Sequence, residues 1–434
     1  MAAMELFTPA PPLARCWPWL GSAAPLLRDP VAFLEECRVS LGDTFRVRLF
    51  SHEILFVFSP EGVRNLWATP ERELSKGFAD YEMIRAKVPD ELFDGRKTLP
   101  HSLFSRDDVE GYLENVQEAV GAEFDRLGDA GEFELFDLTR RVGHRMGLAS
   151  WGGLTGNAAR HLPAVTRALD TLDTADAFVH PIRTLVARQT GKRAARRALA
   201  ELEQLYRGIL EIRASPGESR PDLFDRICQN WSETPSPQRE TGICRDAVLV
   251  HLGSMSNLFA ANAWTVVHLL SRPDLLERVR AGDVALLERC THESIRLRQR
   301  SIVLRRAMQD THLEDEHTRY HIQSGAFVAT MMPNTNVSAV SGLETFDPEN
   351  YAGPRFLRAK ELTARELVST FGHGAHTCPA MRFSTEAIRE FVSQLVDRFE
   401  LTPRYSAPRP LRNQIGGVAR AARPCRIRYA ARKR

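Results

Sequence analysis

A mainly α-helical fold with small β-sheets is predicted by three observations. From Pro60 onward, apolar residues recur at helical spacing for about 240 residues. Strict alternation is confined to short runs near 44–57 and 301–330. The run Ala247–Leu270 is apolar on nearly every side, which predicts a helix buried all round.

Each element follows from local pattern. Pro9–Pro18 is proline-rich and reads as an ordered surface leader. Val31, Phe33, Leu34, Cys37 and Leu41 have helical spacing. Phe45-Val47-Leu49 and Ile54-Phe56-Phe58 read as two strands joined by a turn at Ser51-His52. Helices are expected at 60–68, 106–127, 134–150, 162–189, 193–213, 244–271 and Leu286–Arg298. Residues 214–242 read as a surface connection with one short helix, and 333–370 as a long irregular polar stretch. Ala387, Ile388, Phe391, Val392, Leu395 and Phe399 mark one face of a helix. Leu411–Tyr429 reads as a hairpin with Gly416-Gly417 at its tip.

The 434 residues, 43% hydrophobic and 26% charged, suffice for a large core. A net charge of +3 carries no electrostatic footprint of a nucleic-acid partner. The chain opens with neither a long apolar run nor a basic start, so no membrane anchor or signal peptide is expected. His251, His268 and the polar residues Ser254, Ser256, Asn257 and Asn262 would be costly in lipid, which favours a cavity-lining core helix at 247–270. The seven cysteines are odd in number and scattered, which fits a reducing, cytoplasmic setting. Six of them read as small buried or half-buried thiols.

Residues 371–380 read Phe-Gly-His-Gly-Ala-His-Thr-Cys-Pro-Ala. Two glycines permit a tight loop. Cys378 follows at the start of a helical pattern, where the helix dipole favours a thiolate. Such a thiolate is a nucleophile or a metal ligand. Upstream, Glu293-Ser294-Ile295-Arg296 places an acid and a base on one helical face. A zinc site from His373, His376 and Cys378 lacks a fourth ligand in paired spacing. A cysteine nucleophile with a histidine base leaves Glu293, Arg296 and the order of the elements unexplained.

That order is a buried helix with a polar patch, E-x-x-R, short strands, Pro354-Arg355-Phe356, then the glycine–cysteine loop and a helix. It resembles the cytochrome P-450 family of haem-thiolate enzymes over nearly the whole chain. Residues 371–378 fit the family's F-x-x-G-x-[HR]-x-C loop, with Ala380 where a glycine is usual. The resemblance implies the single-domain triangular haem-thiolate fold over 1–434, with a leader at 1–26 and the catalytic domain at 27–434.

It also implies haem b with Cys378 as axial ligand, Phe371 beside the thiolate, and Gly372 and Gly374 shaping the loop. His376 and Arg305 would bind haem propionates. Glu293, Arg296 and Arg355 would form a structural triad, although Gly353-Pro354 replace the family's Pro-Glu. The family's W-x-x-x-R is missing; Phe93-Asp94-Gly95-Arg96-Lys97 takes its place, with Lys97 as the propionate cation and Arg96 and His101 as rivals. The expected pocket is apolar and includes Met255, Phe259, Val303, Phe178 and Ile415.

The oxygen side departs from the family. Where [AG]-G-x-[DE]-T-[ST] is usual, Gly253-Ser254-Met255-Ser256-Asn257-Leu258 stands. Ser256 replaces the acid and Asn257 the threonine; an amide can hold water but cannot donate a proton as an acid near neutral pH. Asn257, with Trp264 seven residues on, resembles the sterol 7α/12α-hydroxylase and prostacyclin synthase branch. The implied function is a monooxygenase for an apolar small molecule, working as a monomer with a separate ferredoxin or flavin reductase. Rival readings are a redox-neutral isomerase or dehydratase acting on a peroxide or oxime, and a non-catalytic haem binder.

Overall fold

The computed structural model describes residues 6–95, 98, 100–104, 109–173, 189, 191–215 and 222–433. These fall into two compact units, each assembled from three stretches of chain. The first comprises Met1–Ile84, His292–Cys378 and Pro410–Ala419; the second comprises Arg85–Thr291, Pro379–Arg409 and Arg420–Arg434.

The first unit is built on a five-stranded sheet. Its strands run in the spatial order Thr44–Leu49, His52–Val57, Phe327–Met331, Ile302–Ala307, Leu74–Ser75. The pairing of His52–Val57 with Phe327–Met331 is parallel and the others are antiparallel. Side chains alternate across it as a strand period of two requires. Leu55, Val57, Val303 and Val328 enter one apolar cluster. Phe45, Val47, Phe56, Leu304 and Ala329 enter another. Helix Pro60–Ala68 starts where expected, because the Ser59 hydroxyl accepts the Gly62 amide at 2.9 Å and Pro60 supplies a preset first turn. The 301–330 region forms four strands, as its alternation predicts.

The second unit is helical. Helices Leu135–Ser150, Leu162–Leu172, Arg193–Arg213 and Met381–Arg398 pack on the 33-residue helix Gln238–Leu270, and Val109–Phe124 packs on Leu135–Ser150 and Met381–Arg398. Helix Leu135–Ser150 lies close along the central helix, because Gly143 presents no side chain: a Cβ there would meet the Phe259 ring at 2.3 Å. His251 on the central helix meets His144 at 2.9 Å, and His144 reaches Asp170 at 3.0 Å. Burial, reinforced by His144, holds the His251 pKa well below the usual histidine value, so the ring is neutral in the core.

Two expectations fail. Leu411–Tyr429 is no hairpin. Strand Arg426–Ala431 instead lies between Phe399–Pro403 and Ala130–Glu134. The glycine pair hydrogen-bonds with the segment after E-x-x-R, through Arg300 N to Gly417 O at 2.7 Å and Gly416 N to Arg300 O at 2.8 Å. A glycine tip is satisfied by any close backbone partner, so local pattern did not reveal which. The stretch 333–370 is also more ordered than its polarity suggests, with helix Met332–Ser338 and a Tyr351–Ala352/Arg355–Phe356 hairpin.

Candidate functional site

The loop before Cys378 closes on itself. The Cys378 amide donates to the Phe371 carbonyl at 2.7 Å, and His376 N to His373 O at 3.0 Å. Gly372 has φ +84°, and a Cβ there would lie 2.3 Å from the His376 carbonyl oxygen. Only glycine satisfies both the dihedral and the space. Cys378 is half-buried, and helix Met381–Arg398 begins three residues later. Ala380 has φ −89°, so the family's glycine is not required there.

Beneath this loop lies a fully buried charge pair. Arg296 Nε and Nη2 donate to the two oxygens of Glu293 at 2.7 and 2.6 Å, and both side chains are 0% exposed. The geometry is the two-pronged guanidinium–carboxylate fork. Glu293 also accepts from the Asp347 amide at 3.1 Å and from Asn350 at 3.0 Å. Arg296 donates its third group to the Asn336 carbonyl at 2.7 Å. Asn336 then takes the Ser369 amide at 2.7 Å, and the Ser369 hydroxyl takes the Gly372 amide at 3.0 Å. An unbroken hydrogen-bonded chain therefore links E-x-x-R to the cysteine loop.

Arg355 is not part of it. It is exposed on its strand, and Asn350 occupies the place expected for it. The reason is strand alternation: Phe356 turns onto Tyr351, ring centroids 5.4 Å apart, so Arg355 turns outward. Asn336, Asn350 and Ser369 were missed from sequence. No sequence signal marks them, because their burial and their partners come from remote parts of the chain. Phe371 packs edge-on against His292 at 5.4 Å, and burial lowers the His292 pKa to about 4.

Arg305 and His376 do come together. Arg305 is fully buried and donates to the Leu66 carbonyl and, at 2.6 Å, to that of Thr69. Its Nη2 lies 3.6 Å from Glu71, and His376 Nε2 lies 3.3 Å from the same carboxylate oxygen. Burial, with Arg305 next, lowers the His376 pKa against a partial opposing effect of Glu71. Burial pushes the Glu71 pKa upward, but the Lys76 and Gly77 amides and the Ser75 hydroxyl outweigh it and hold Glu71 ionised. A buried guanidinium whose Nε has no hydrogen-bond partner, beside an imidazole, is a donor set for a carboxylate. These residues fit the carboxylate-bearing edge of a haem.

On the central helix, Gly253 and Asn257 stand one turn apart and are both exposed, with Ser254 and Ser256 half-buried between them. Beyond its exposed start at Gln238 and Arg239, the described part of this helix is open only here, as expected for a cavity-lining element. The Ser254 hydroxyl is turned back on the Val250 carbonyl at 2.7 Å. Phe259 packs on Gly143, Val303 is core at 2% exposure, and Ile415 packs against the opposite face of the sheet. Of these, Val303 is fully buried while Phe259 and Ile415 are half-buried. Lys97, Phe178 and the Met255 side chain lie outside the described residues.

A tight glycine loop presenting a half-buried cysteine, wired to a buried E-x-x-R pair and accompanied by a propionate-type donor set, defines a haem-thiolate protein. The family model described as Cytochrome P450 matches residues 178–428, and the chain belongs to that family. It is similar to a sterol 14alpha-demethylase of Mycolicibacterium vanbaalenii, 22% identical over 94% of each chain. It is similar to a 24-hydroxycholesterol 7-alpha-hydroxylase of Mus musculus, 20% identical over 97% of this chain and 93% of that one. A cytochrome P450 monooxygenase of Aspergillus violaceofuscus is 22% identical over 88% and 82%. The chain is accordingly an oxygenase whose family cofactor is protoporphyrin IX haem with a cysteine thiolate ligand. Among the described residues no helix is long and apolar enough to cross a membrane.

Proposed function

We propose that this chain hydroxylates a sterol or similarly rigid, apolar lipid. The observation that carries this reading is similarity along nearly the full chain to enzymes whose names specify sterol substrates, in two reaction types. Cys378 is the axial thiolate. Arg305 and His376, with Lys97, hold the haem propionates, and Glu71 yields its contacts to them. Glu293, Arg296, Asn336 and Ser369 hold the loop that carries Cys378. When bound, the haem supplies activation of O2, which a thiolate ligand promotes.

Electrons come from a separate ferredoxin or flavin reductase. The chain acts as one catalytic domain over 27–434 behind its leader at 1–26, as a cytoplasmic monomer. A difference-spectral titration of the haem-loaded protein with sterols, fatty acids, terpenoids and indoles tests the substrate class. Sterols are expected to give a saturable shift at the lowest concentration; a response confined to another class would overturn the assignment.

Asn257 and Ser256 are the proposed oxygen-side residues, with the Asn257 amide holding a water or a polar group of the substrate. Neither can donate a proton as an acid near neutral pH. That favours, as a second reading, a redox-neutral reaction on a hydroperoxide or oxime. Asn257→Thr is expected to raise the fraction of electrons recovered in product, because a hydroxyl both donates and accepts and so can relay a proton through bound water. Unchanged coupling argues against a role for Asn257. Turnover of a hydroperoxide without NAD(P)H, and none with O2 and an electron donor, would establish the redox-neutral reading instead.

A further inference from the structure

The last 31 residues, Arg404–Arg434, hold ten Lys and Arg and no Asp or Glu, although the whole chain has a net charge of only +3. Several of these cations find acids elsewhere. Arg426 meets Glu132 at 3.1 Å, Arg432 meets Glu400 at 3.0 Å and Arg420 meets Asp173 at 2.5 Å. Arg404, Arg409 and Arg423 are exposed, and among the described residues none of the three is paired with a carboxylate. All three line one cleft of about 560 Å³, together with Tyr405 and Cys425.

The backbone explains why the cleft exists. Strands Phe399–Pro403 and Arg426–Ala431 pair antiparallel, and the ladder extends to the bond from Arg404 N to Arg426 O at 2.8 Å. There it stops. The Cys425 amide donates to the Glu134 carboxylate at 2.7 Å, and the Cys425 carbonyl accepts from Leu135 N at 3.0 Å. Both main-chain groups of Cys425 are thus engaged away from Tyr405. Pro408 and Pro424 have no N–H to offer. The two chains part and meet again where Ala422 N reaches Arg409 O at 2.8 Å.

The cleft offers a neutral donor as well as charge. The Tyr405 hydroxyl is buried without a hydrogen-bond partner. Burial first, and Cys425 next, push its pKa upward, so it stays an O–H donor. An unpaired buried donor is costly, and a ligand oxygen would satisfy it. Glu134, the acid that approaches Cys425, already accepts one amide on each oxygen, from Cys425 at 2.7 Å and Asp137 at 2.8 Å.

We propose that this cleft binds a phosphorylated small molecule, with its phosphate oxygens on Arg404, Arg409 and Arg423 and one oxygen on the Tyr405 hydroxyl. Guanidinium forks match phosphate geometry and keep their charge. A concave site of about 560 Å³ has the size of a small-ligand pocket and exceeds a bare phosphate. None of its lining residues belongs to the cysteine loop, the E-x-x-R pair or the central helix, so this is a second ligand site, independent of the sterol assignment.

The probe is inorganic pyrophosphate, titrated calorimetrically into the haem-loaded full chain. One saturable site per chain is expected. Arg409→Ala with Arg423→Ala is expected to weaken binding about tenfold or more, and Tyr405→Phe about tenfold, the scale of a hydrogen bond to a charged group. Both variants should keep the wild-type circular dichroism and ferrous–carbonyl spectrum. Arg426→Ala, at a residue already paired with Glu132, should bind as wild type does. No saturable binding, undiminished binding by the double variant, equal loss in Arg426→Ala, or the same heat from chloride at matched ionic strength would overturn the proposal. So would tighter binding of a polyglutamate peptide than of pyrophosphate, since the cleft would then belong to an acidic polypeptide.

Discussion

Replacing Cys378 by alanine is expected to abolish the long-wavelength ferrous–carbonyl band and all turnover, while the chain still folds. Alanine keeps the backbone bond that closes the loop, in which the Cys378 amide donates to the Phe371 carbonyl at 2.7 Å. The substitution therefore removes the ligand without removing the cradle. Haem may be added to the purified variant and its carbonyl spectrum compared with wild type, with circular dichroism as the control for folding. A thiolate-type band retained in the variant would show that another cysteine ligates the iron. Burial raises the pKa of the alternatives Cys37, Cys228, Cys290 and Cys425 to about 11, 12, 12 and 11. None of those is poised to be a thiolate.

The second large effect is at Glu293. Glu293→Gln is expected to destabilise the fold by about 3–5 kcal/mol, the cost of leaving one member of a buried pair without its partner. That is a large share of the roughly 5–15 kcal/mol that holds a typical protein folded. Arg296 would keep its charge with no carboxylate beside it, and the glutamine NH2 would oppose one prong of the guanidinium, leaving one acceptor oxygen for the other prong, the Asp347 amide and Asn350. Because Arg296 continues through Asn336 and Ser369 to Gly372, the loop should loosen as well. Urea unfolding measures the first consequence and haem retention on gel filtration the second. The exposed pair Arg358–Glu361 has the same i,i+3 spacing and serves as a control. Neutralising Glu361 should change neither measurement, since exposed pairs contribute little. Equal effects at both sites would contradict the distinction drawn from burial.

The features legible in sequence share one property: they are local. Glu293 and Arg296 are one helical turn apart, so their pairing follows from helix geometry alone. Gly372 and Cys378 lie in one short loop, and the sheet strands announce themselves by alternation. The partners that were missed are remote in the chain. Asn336 lies 40 residues from Arg296, and Asn350 lies 57 from Glu293. Neither has a periodicity or spacing that betrays it. Glu71 was invisible for the same reason, being tied to Arg305 and His376 only in space. Arg355 shows the opposite error, in which a motif position matched while the strand's alternation sent its side chain outward.

Sequence by itself determined the family, the glycine loop that presents Cys378, and the departure at Ser256 and Asn257, because all three reside in contiguous residues whose spacing carries the chemistry. Only the tertiary structure decided which groups complete the carboxylate of Glu293, and that Val303 lies in a packed core. It also decided that Arg404, Arg409 and Arg423 line one cleft. Burial and long-range hydrogen bonding are properties of the folded chain. A valine or an asparagine carries no mark, in one sequence, of the side on which it will lie or the remote residue it will meet.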